Sequence, residues 1–232
     1  MSGPAAATCP ICGGQAFGPY NRRPLARCMG CGAVERTRKL WMVLQHLGLP
    51  RPGSRILHLA PERSLGARFH AASGELYHPC DLVPALYRSK AYRVFEMDAC
   101  RDLARMPSAC FDLVLHNHVL EHLPCAVPVV LDEFDRLVAP GGWHLLSVPF
   151  RNVPTTDEEL GPLPAEERTR RFGQSDHLRI FGRDFDALLR ARGFQAYRGP
   201  ELFSPAALAA AAVPPPPAFA DGATIFARQR PA

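Results

Sequence analysis

The chain has 232 residues, 47% of them apolar and 21% charged, which suits one full α/β domain with a small appendage. A formal charge of +5 and a pI near 8.9 are compatible with an anionic partner but fall short of the dense basic signature of a dedicated nucleic-acid binder. No apolar run reaches the ~20 residues that cross a bilayer, and the opening MSGPAAATCP has no charged segment followed by an apolar core, so no signal peptide is expected and the expected setting is the reducing cytoplasm.

Residues 1–35 carry two pairs of the form Cys-x-x-Cys, Cys9/Cys12 and Cys28/Cys31, separated by 15 residues. Each pair sets two thiolates on a tight turn, and the gap is long enough for a short hairpin. Four thiolates so spaced match tetrahedral zinc in a closed, structural site. The remaining cysteines, Cys80, Cys100, Cys110 and Cys125, show no ligand spacing and read as buried free thiols. Residues 36–53 read as a linking helix: Leu40, Val43, Leu44 and Leu47 recur at helical spacing within Glu35–Leu49, Gly48 and Pro50 end the run, and its basic first turn is expected to face solvent, with a ligand as the alternative.

Residues 54–150 alternate strand and helix signals. Strands are expected at Arg55–Leu59, Leu76–His78, Arg93–Phe95, Phe111–His116 and Trp143–Val148, and helices at Ser64–Ala72 and Ala126–Leu137, with Pro140-Gly141-Gly142 as a turn before the last strand. Short apolar strands in this order predict a parallel sheet covered on both faces. Beyond it, residues 151–176, rich in Pro, Glu and Arg, read as a surface excursion over the sheet. GRDFDALLRARGF predicts a helix with Phe185, Leu188 and Leu189 on one face and Gly193 past its end. Residues 200–222 form an Ala/Pro-rich loop with a turn or two of helix, and ATIFARQR a final strand.

The segments FDLVLHNHVLEHL (111–123) and LDEFDRLVAPGGWHLLSVP (131–149), in this order and spacing, resemble class I S-adenosylmethionine-dependent methyltransferases over residues 54–230. The resemblance implies a Rossmann-like, seven-stranded α/β sheet with an antiparallel last strand over residues 54–232, here joined to a small N-terminal zinc ribbon, and it implies S-adenosylmethionine as cofactor. Within the superfamily, the ribbon, the Ala60-Pro61-Glu62 triplet and DHLRIFG look like an uncharacterised bacterial subgroup. His58 stands at the family's acidic position, Ala60 at its first glycine and Glu62 at a later one. Glu62 either accepts from the methionine ammonium or caps the next helix, with Pro61 fixing φ between. Asp81, followed by Leu82, matches the acid that binds both ribose hydroxyls. Asp98 and Ala99 match the adenine contacts, and His116 and Asn117 fall beside the transferable methyl.

Two acceptor signatures of the superfamily are absent: an Asn-Pro-Pro-Tyr-type motif after the fourth strand, and a nucleophilic cysteine in the pyrimidine-C5 position. An oxygen acceptor on a small molecule, a sugar or natural-product intermediate deprotonated by histidine, is the expected reaction, with His177 and His118 as candidate catalytic groups. If a helix starts near Asn117, then His118, Glu121 and His122 share one face. That pattern resembles the metal motif of ubiquinone-pathway O-methyltransferases and small-RNA 2′-O-methyltransferases, whose downstream histidine corresponds to His177, and it implies a possible second divalent ion on these four side chains. Two alternatives stay open. One is an RNA methyltransferase whose ribbon cluster Arg22, Arg23, Arg27, Arg36, Arg38 and Lys39 meets phosphates. The other is an S-adenosylmethionine-binding enzyme of different chemistry, or a scaffold protein, that does not transfer methyl groups. Residues 151–176 and the ribbon would cover the acceptor pocket.

Overall fold

The computed structural model describes residues 7–214 and 224–232. The ribbon is a hairpin of β1 (Phe17–Tyr20) and β2 (Arg23–Cys28), which lies between the two cysteine pairs as expected. Helix α1 (Glu35–His46) buries Leu40, Val43 and Leu44 and ends short of Gly48, whose φ of +68° is a left-handed turn that glycine adopts without strain.

The alternating units follow as β3 (Ile56–Leu59), α2 (Arg63–Ser73), β4 (Tyr77–Asp81), β5 (Phe95–Glu96), α3 (Ala99–Asp102), β6 (Phe111–Asn117), α4 (Val127–Leu137) and β7 (Val138–Ser147). The excursion and the segment directly after it contribute β8 (Asp157–Glu158), α5 (Ala165–Phe172) and β9 (Arg179–Ile180), and the chain closes with α6 (Arg183–Ala191), β10 (Gln195–Tyr197), α7 (Gly199–Leu202), α8 (Pro205–Ala210) and β11 (Ile225–Gln229). The seven-stranded sheet runs β10-β11-β7-β6-β3-β4-β5, and β11 pairs antiparallel with both its neighbours. The expected topology is therefore present. Residues 215–222 of the Ala/Pro-rich loop lie outside the described residues.

Side-chain alternation gives the sheet two cores. Leu57, Leu59, Val114, Leu146 and Phe226 face α4 and α6, where Val130, Leu131, Phe134 and Leu189 pack. Ile56, Leu113, Leu115, Leu145 and Ile225 face α1 and α2, meeting Leu40, Val43, Leu44, Leu65 and Phe69. Cys9, Ile11, Cys28 and Ala33 of the ribbon belong to this second core, and Arg68 of α2 bonds the Ile11 carbonyl. Buried at about 1.5–3 kcal/mol per large apolar side chain, each core is a major share of the stability.

Four expectations are corrected. The strand before α2 ends where predicted, but β4 continues to Asp81 and β5 is only Phe95–Glu96. Pro140-Gly141-Gly142 is not a turn before a strand: α4 passes directly into β7, and the three residues form an irregular stretch within it, marked by a register shift against β6. No helix starts at Asn117. β6 runs through that residue, His118 takes a left-handed φ of +53°, and a single 3₁₀ turn spans Leu120–His122. Finally, Cys100, at the start of α3, and Cys125, in the loop before α4, form a disulfide with their Cα atoms 5.8 Å apart; Cys80 and Cys110 are free.

Candidate active site

The carboxyl ends of β3, β4 and β6, parallel neighbours in the sheet, lie side by side, the position where open α/β sheets bind ligands. At the end of β3, Ala60 has φ +48°, a left-handed conformation that glycine usually supplies, and its N–H donates to the Cys80 carbonyl at 2.9 Å. The turn therefore adopts a glycine-loop backbone without glycine. Pro61 then leads into Glu62, the residue before α2, whose side chain makes no capping bond to that helix.

The Glu62 carboxylate instead accepts from His58 Nε2 at 2.8 Å and from Asn117 Nδ2 at 3.2 Å, while Asn117 Oδ1 accepts from Ser147 Oγ at 2.8 Å. Burial works to raise the Glu62 pKa, but the hydrogen bond and charge of His58, with Arg36 beyond, outweigh it and hold the carboxyl below its ordinary value. Arg36, Leu40, Glu62, Asn117, His118, Ser147 and Ile225 line the cleft at this point. His58 itself is fully buried, bonded through Nδ1 to the Tyr77 hydroxyl at 3.0 Å, so it meets the cleft only through Glu62.

At the end of β4, Asp81 accepts from the Val83 N–H at 2.8 Å and from the Tyr87 hydroxyl at 2.6 Å. Leu82 beside it is 62% exposed, and Val83, Leu86 and Phe95 extend the apolar surface. Asp98 caps α3, accepting from the Cys100 N–H at 2.9 Å and pairing with Arg101 at 2.8 Å, and Ala99 is buried.

His116 is corrected. Strand alternation turns its ring away from Asn117 and onto the α4 face, stacked on Phe134 at 4.3 Å and fully buried. Its Nε2 meets His144 Nε2 at 2.8 Å, and His144 Nδ1 donates to Asp135 at 2.8 Å. That leaves Nδ1 of His116 a lone pair without a partner, and burial drives its pKa well below the ordinary histidine value.

Beyond the cleft, the excursion docks on the Leu120–His122 turn. Arg179, fully buried, bonds the carbonyls of Leu120 and of Leu123 (2.7 Å), and Leu178 N–H donates to the Glu121 carbonyl at 2.8 Å. This brings His177 to Glu121 and His122, and one ligand atom from each lies within 4.8 Å of the others. His177 donates from Nδ1 to the Phe172 carbonyl at 3.0 Å, leaving Nε2 as a buried lone pair without a partner. Glu121 is fully buried, and no well-aligned hydrogen bond reaches either oxygen, although His118 Nδ1 lies 3.2 Å from Oε1. His122 Nδ1 faces Asp176 at 3.3 Å. His118 touches this group through Glu121 and turns its unpartnered Nε2 away from it.

A family model described as a methyltransferase domain matches residues 67–198, more than half of the chain. The chain belongs to that family. It is a class I S-adenosylmethionine-dependent methyltransferase. No sequence among curated proteins matches it. Solved structures share the methyltransferase fold. The Burkholderia thailandensis 1,6-didemethyltoxoflavin-N1-methyltransferase with bound 1,6-didemethyltoxoflavin and S-adenosylhomocysteine is 19% identical, with a TM-score of 0.53 over 85% of this chain and 79% of that one. A Haemonchus contortus phosphoethanolamine N-methyltransferase 2 in complex with S-adenosyl-L-methionine is 14% identical, with a TM-score of 0.52 over 84% and 52%. An Archaeoglobus fulgidus methyltransferase is 13% identical, with a TM-score of 0.51 over 85% and 95%.

In this methyltransferase the four ribbon cysteines gather as expected. Cys9 and Cys31 Sγ lie 3.7 Å apart and Cys12 and Cys28 Sγ 3.5 Å apart. A zinc tetrahedron with bonds of about 2.3 Å has edges of about 3.8 Å, so the donor set fits. Gly13 and Gly32, both near φ +79°, donate to the Cys9 and Cys28 carbonyls at 2.8 Å and close matching knuckles. Burial pushes the Cys28 thiol up, but N–H groups of Cys31 and Gly30 and the neighbouring thiols bring it down to about 7.

The basic ribbon cluster is corrected at Arg38 and Lys39, both buried. Arg38 donates to the carbonyls of Ala26 (2.8 Å), Ala33 (2.7 Å) and Ala211 (3.0 Å) and to that of Ala212, and lies over the Phe17 ring. It cannot reach a phosphate. Arg36, two residues earlier, is exposed, as expected of the first turn, and also lines the cleft beside Glu62. Sequence held no signal that separates these two arginines.

Proposed function

We propose that this methyltransferase O-methylates a small hydroxylated molecule, with His118 as the base and Glu121 orienting it. The observation that carries the reading is the buried Glu121 carboxylate beside His118 Nδ1, with His118 Nε2 unpartnered on a residue that lines the cleft. A histidine with a carboxylate beside one nitrogen has its imidazolium form stabilised there and keeps the lone pair of the other to take a proton.

S-adenosylmethionine, when bound, supplies an electrophilic methyl group on sulfur. Glu62, fixed by His58 and Asn117, is placed for the ammonium of its amino-acid end, Asp81 for the ribose hydroxyls, and Leu82 for the adenine face. Asp98 and Ala99 flank the adenine side. The named Burkholderia and Haemonchus enzymes are nitrogen methyltransferases, so the oxygen assignment rests on this chain's own histidine and not on them.

The Cys9, Cys12, Cys28 and Cys31 thiolates suit a structural zinc ion. A divalent ion on Glu121, His122 and His177 is a second reading of the acceptor end, favoured by the orphaned Glu121 oxygens and the His177 Nε2 lone pair, and it would acidify a bound hydroxyl.

The test is S-adenosylhomocysteine release across a panel of hydroxylated small molecules, with and without RNA. His118→Gln is expected to lower kcat by roughly 10²–10⁴ while leaving S-adenosylhomocysteine affinity intact. Undiminished turnover in that variant would sink the base assignment, and turnover on RNA alone would sink the acceptor class.

A further inference from the structure

We infer that Arg36 and Glu62 together form a receptor for an α-amino-acid zwitterion, so that helix α1 supplies the carboxylate-binding half of the cofactor's methionine pocket. This rests on the cofactor reading above and adds a residue outside the matched domain, which starts at residue 67.

Glu62 alone is half a receptor. Its carboxylate suits an ammonium, but an α-amino acid carries a carboxylate about one bond length away from the carbon that bears the ammonium. A site with only a negative group would repel that second charge. The cleft contains one cation from another element: Arg36 lines it together with Glu62, Asn117, His118 and Ser147. Arg36 lies near enough to Glu62 to help hold its carboxyl below the ordinary value. Yet among the described residues Arg36 makes no hydrogen bond or salt bridge, and its side chain is exposed. A guanidinium without a partner presents a planar fork of donors, which suits a carboxylate in two-point contact.

The rest of α1 holds the arginine in place. Leu40, Val43 and Leu44 are buried against the sheet, and Arg38 on the same helix is tied to carbonyls of the ribbon and of the segment after α8. The backbone that carries Arg36 is therefore fixed over the end of β3 before any ligand arrives, which lowers the ordering cost of binding. Glu62 is equally fixed, through His58 below and Asn117 beside it. Opposite charges held on separate elements across a narrow cleft read the zwitterion and not simply a charge.

The experiment compares two ligands by calorimetry on the intact protein. S-adenosylhomocysteine carries the amino-acid end; 5′-methylthioadenosine has the same nucleoside and thioether without it. Arg36→Ala is expected to weaken S-adenosylhomocysteine by 10- to 100-fold and to change methylthioadenosine affinity by less than 2-fold, with Arg36→Lys recovering part of the loss. Because Arg36 is exposed, its removal should leave the melting temperature unchanged. Equal losses for both ligands, or no loss for S-adenosylhomocysteine, would overturn the receptor. Failure of the unaltered protein to bind either ligand would overturn the cofactor reading itself, which separates the two failures.

Discussion

Asn117, the last residue of β6, donates from Nδ2 to Glu62 Oε1 at 3.2 Å and so ties the middle of the sheet to the loop after β3. Ser147, at the end of β7, in turn donates to Asn117 Oδ1 at 2.8 Å and fixes which way the amide faces. Three strand ends thus orient one carboxylate. Asn117→Ala should leave the fold intact but free Glu62 to rotate. The expected loss in S-adenosylhomocysteine affinity is about 1–2 kcal/mol, or roughly 5- to 30-fold. Calorimetry reads it directly, and unchanged affinity would mean that Glu62 does not contact the ligand.

His116 should make stability fall in mild acid. Its folded pKa is depressed far below the unfolded value near 6.5, so the unfolded chain binds the extra proton. The contribution is therefore complete above pH ~6.5 and is lost as pH falls, at up to about 1.4 kcal/mol per pH unit. Urea unfolding between pH 5 and 8 should show this slope, and His116→Leu should flatten it. The slope is the readout, since the level also drops when His144 loses its partner.

Zinc should support the whole domain and not the ribbon alone, because Cys9 and Cys28 pack in the same core as Ile56 and Phe69. Metal analysis is expected to find one zinc per chain, with Cys28→Ser losing it. That variant should lose at least about 3 kcal/mol, or roughly 6–12 °C in Tm for a domain of this size, in a single transition. Two separate transitions would show the ribbon folding by itself.

Glu121→Gln separates a metal ligand from a structural acid. It replaces a buried, poorly bonded carboxylate with a neutral amide, so without added metal it should be as stable as the parent or more so by about 1 kcal/mol. Cobalt titration should give a saturable absorption band in the parent that is missing in Glu121→Gln and in His177→Gln. A band that survives both substitutions would place the ion elsewhere.

The Cys100–Cys125 disulfide joins the start of α3 to the loop that follows His122. Closing a segment of 25 residues is worth about 3.5 kcal/mol in chain entropy, so Cys100→Ser should lower stability by an amount of that order under oxidising conditions and by little in reductant. Thiol titration of the denatured, unreduced protein after metal removal should count the six free cysteines and no more.

Much of the frame was legible because it rests on local pattern. The apolar run of FDLVLHN can only be a buried strand, and the paired Cys-x-x-Cys spacing brought four sulfurs together as read. What was not legible depends on distant segments. Arg36 and Arg38 are the same residue two positions apart, and it takes the ribbon carbonyls of Ala26 and Ala33 together with those of Ala211 and Ala212, over 170 positions away, to bury one of them. The His118–His122 stretch has helical spacing, but the strand before it runs on through Asn117 and leaves room for a single tight turn. Cys100 and Cys125 carry no spacing that marks a pair, and they meet because the fold brings the start of α3 against the loop before α4. His58 and His116 sit at cofactor positions in sequence, yet the pleat turns both rings into the interior.

The Arg38 guanidinium gives the ribbon a different standing from that of a portable accessory. It is a four-way rivet through two ribbon carbonyls and two at the far end of the chain. A ribbon transplanted onto another methyltransferase would arrive with half of its sockets missing. Conversely, trimming this enzyme to its recognisable catalytic part would strip the wall from one side of the sheet and carry Arg36 away with it. Swapping experiments among such enzymes should move the ribbon, α1 and the α8 end as one inheritable block.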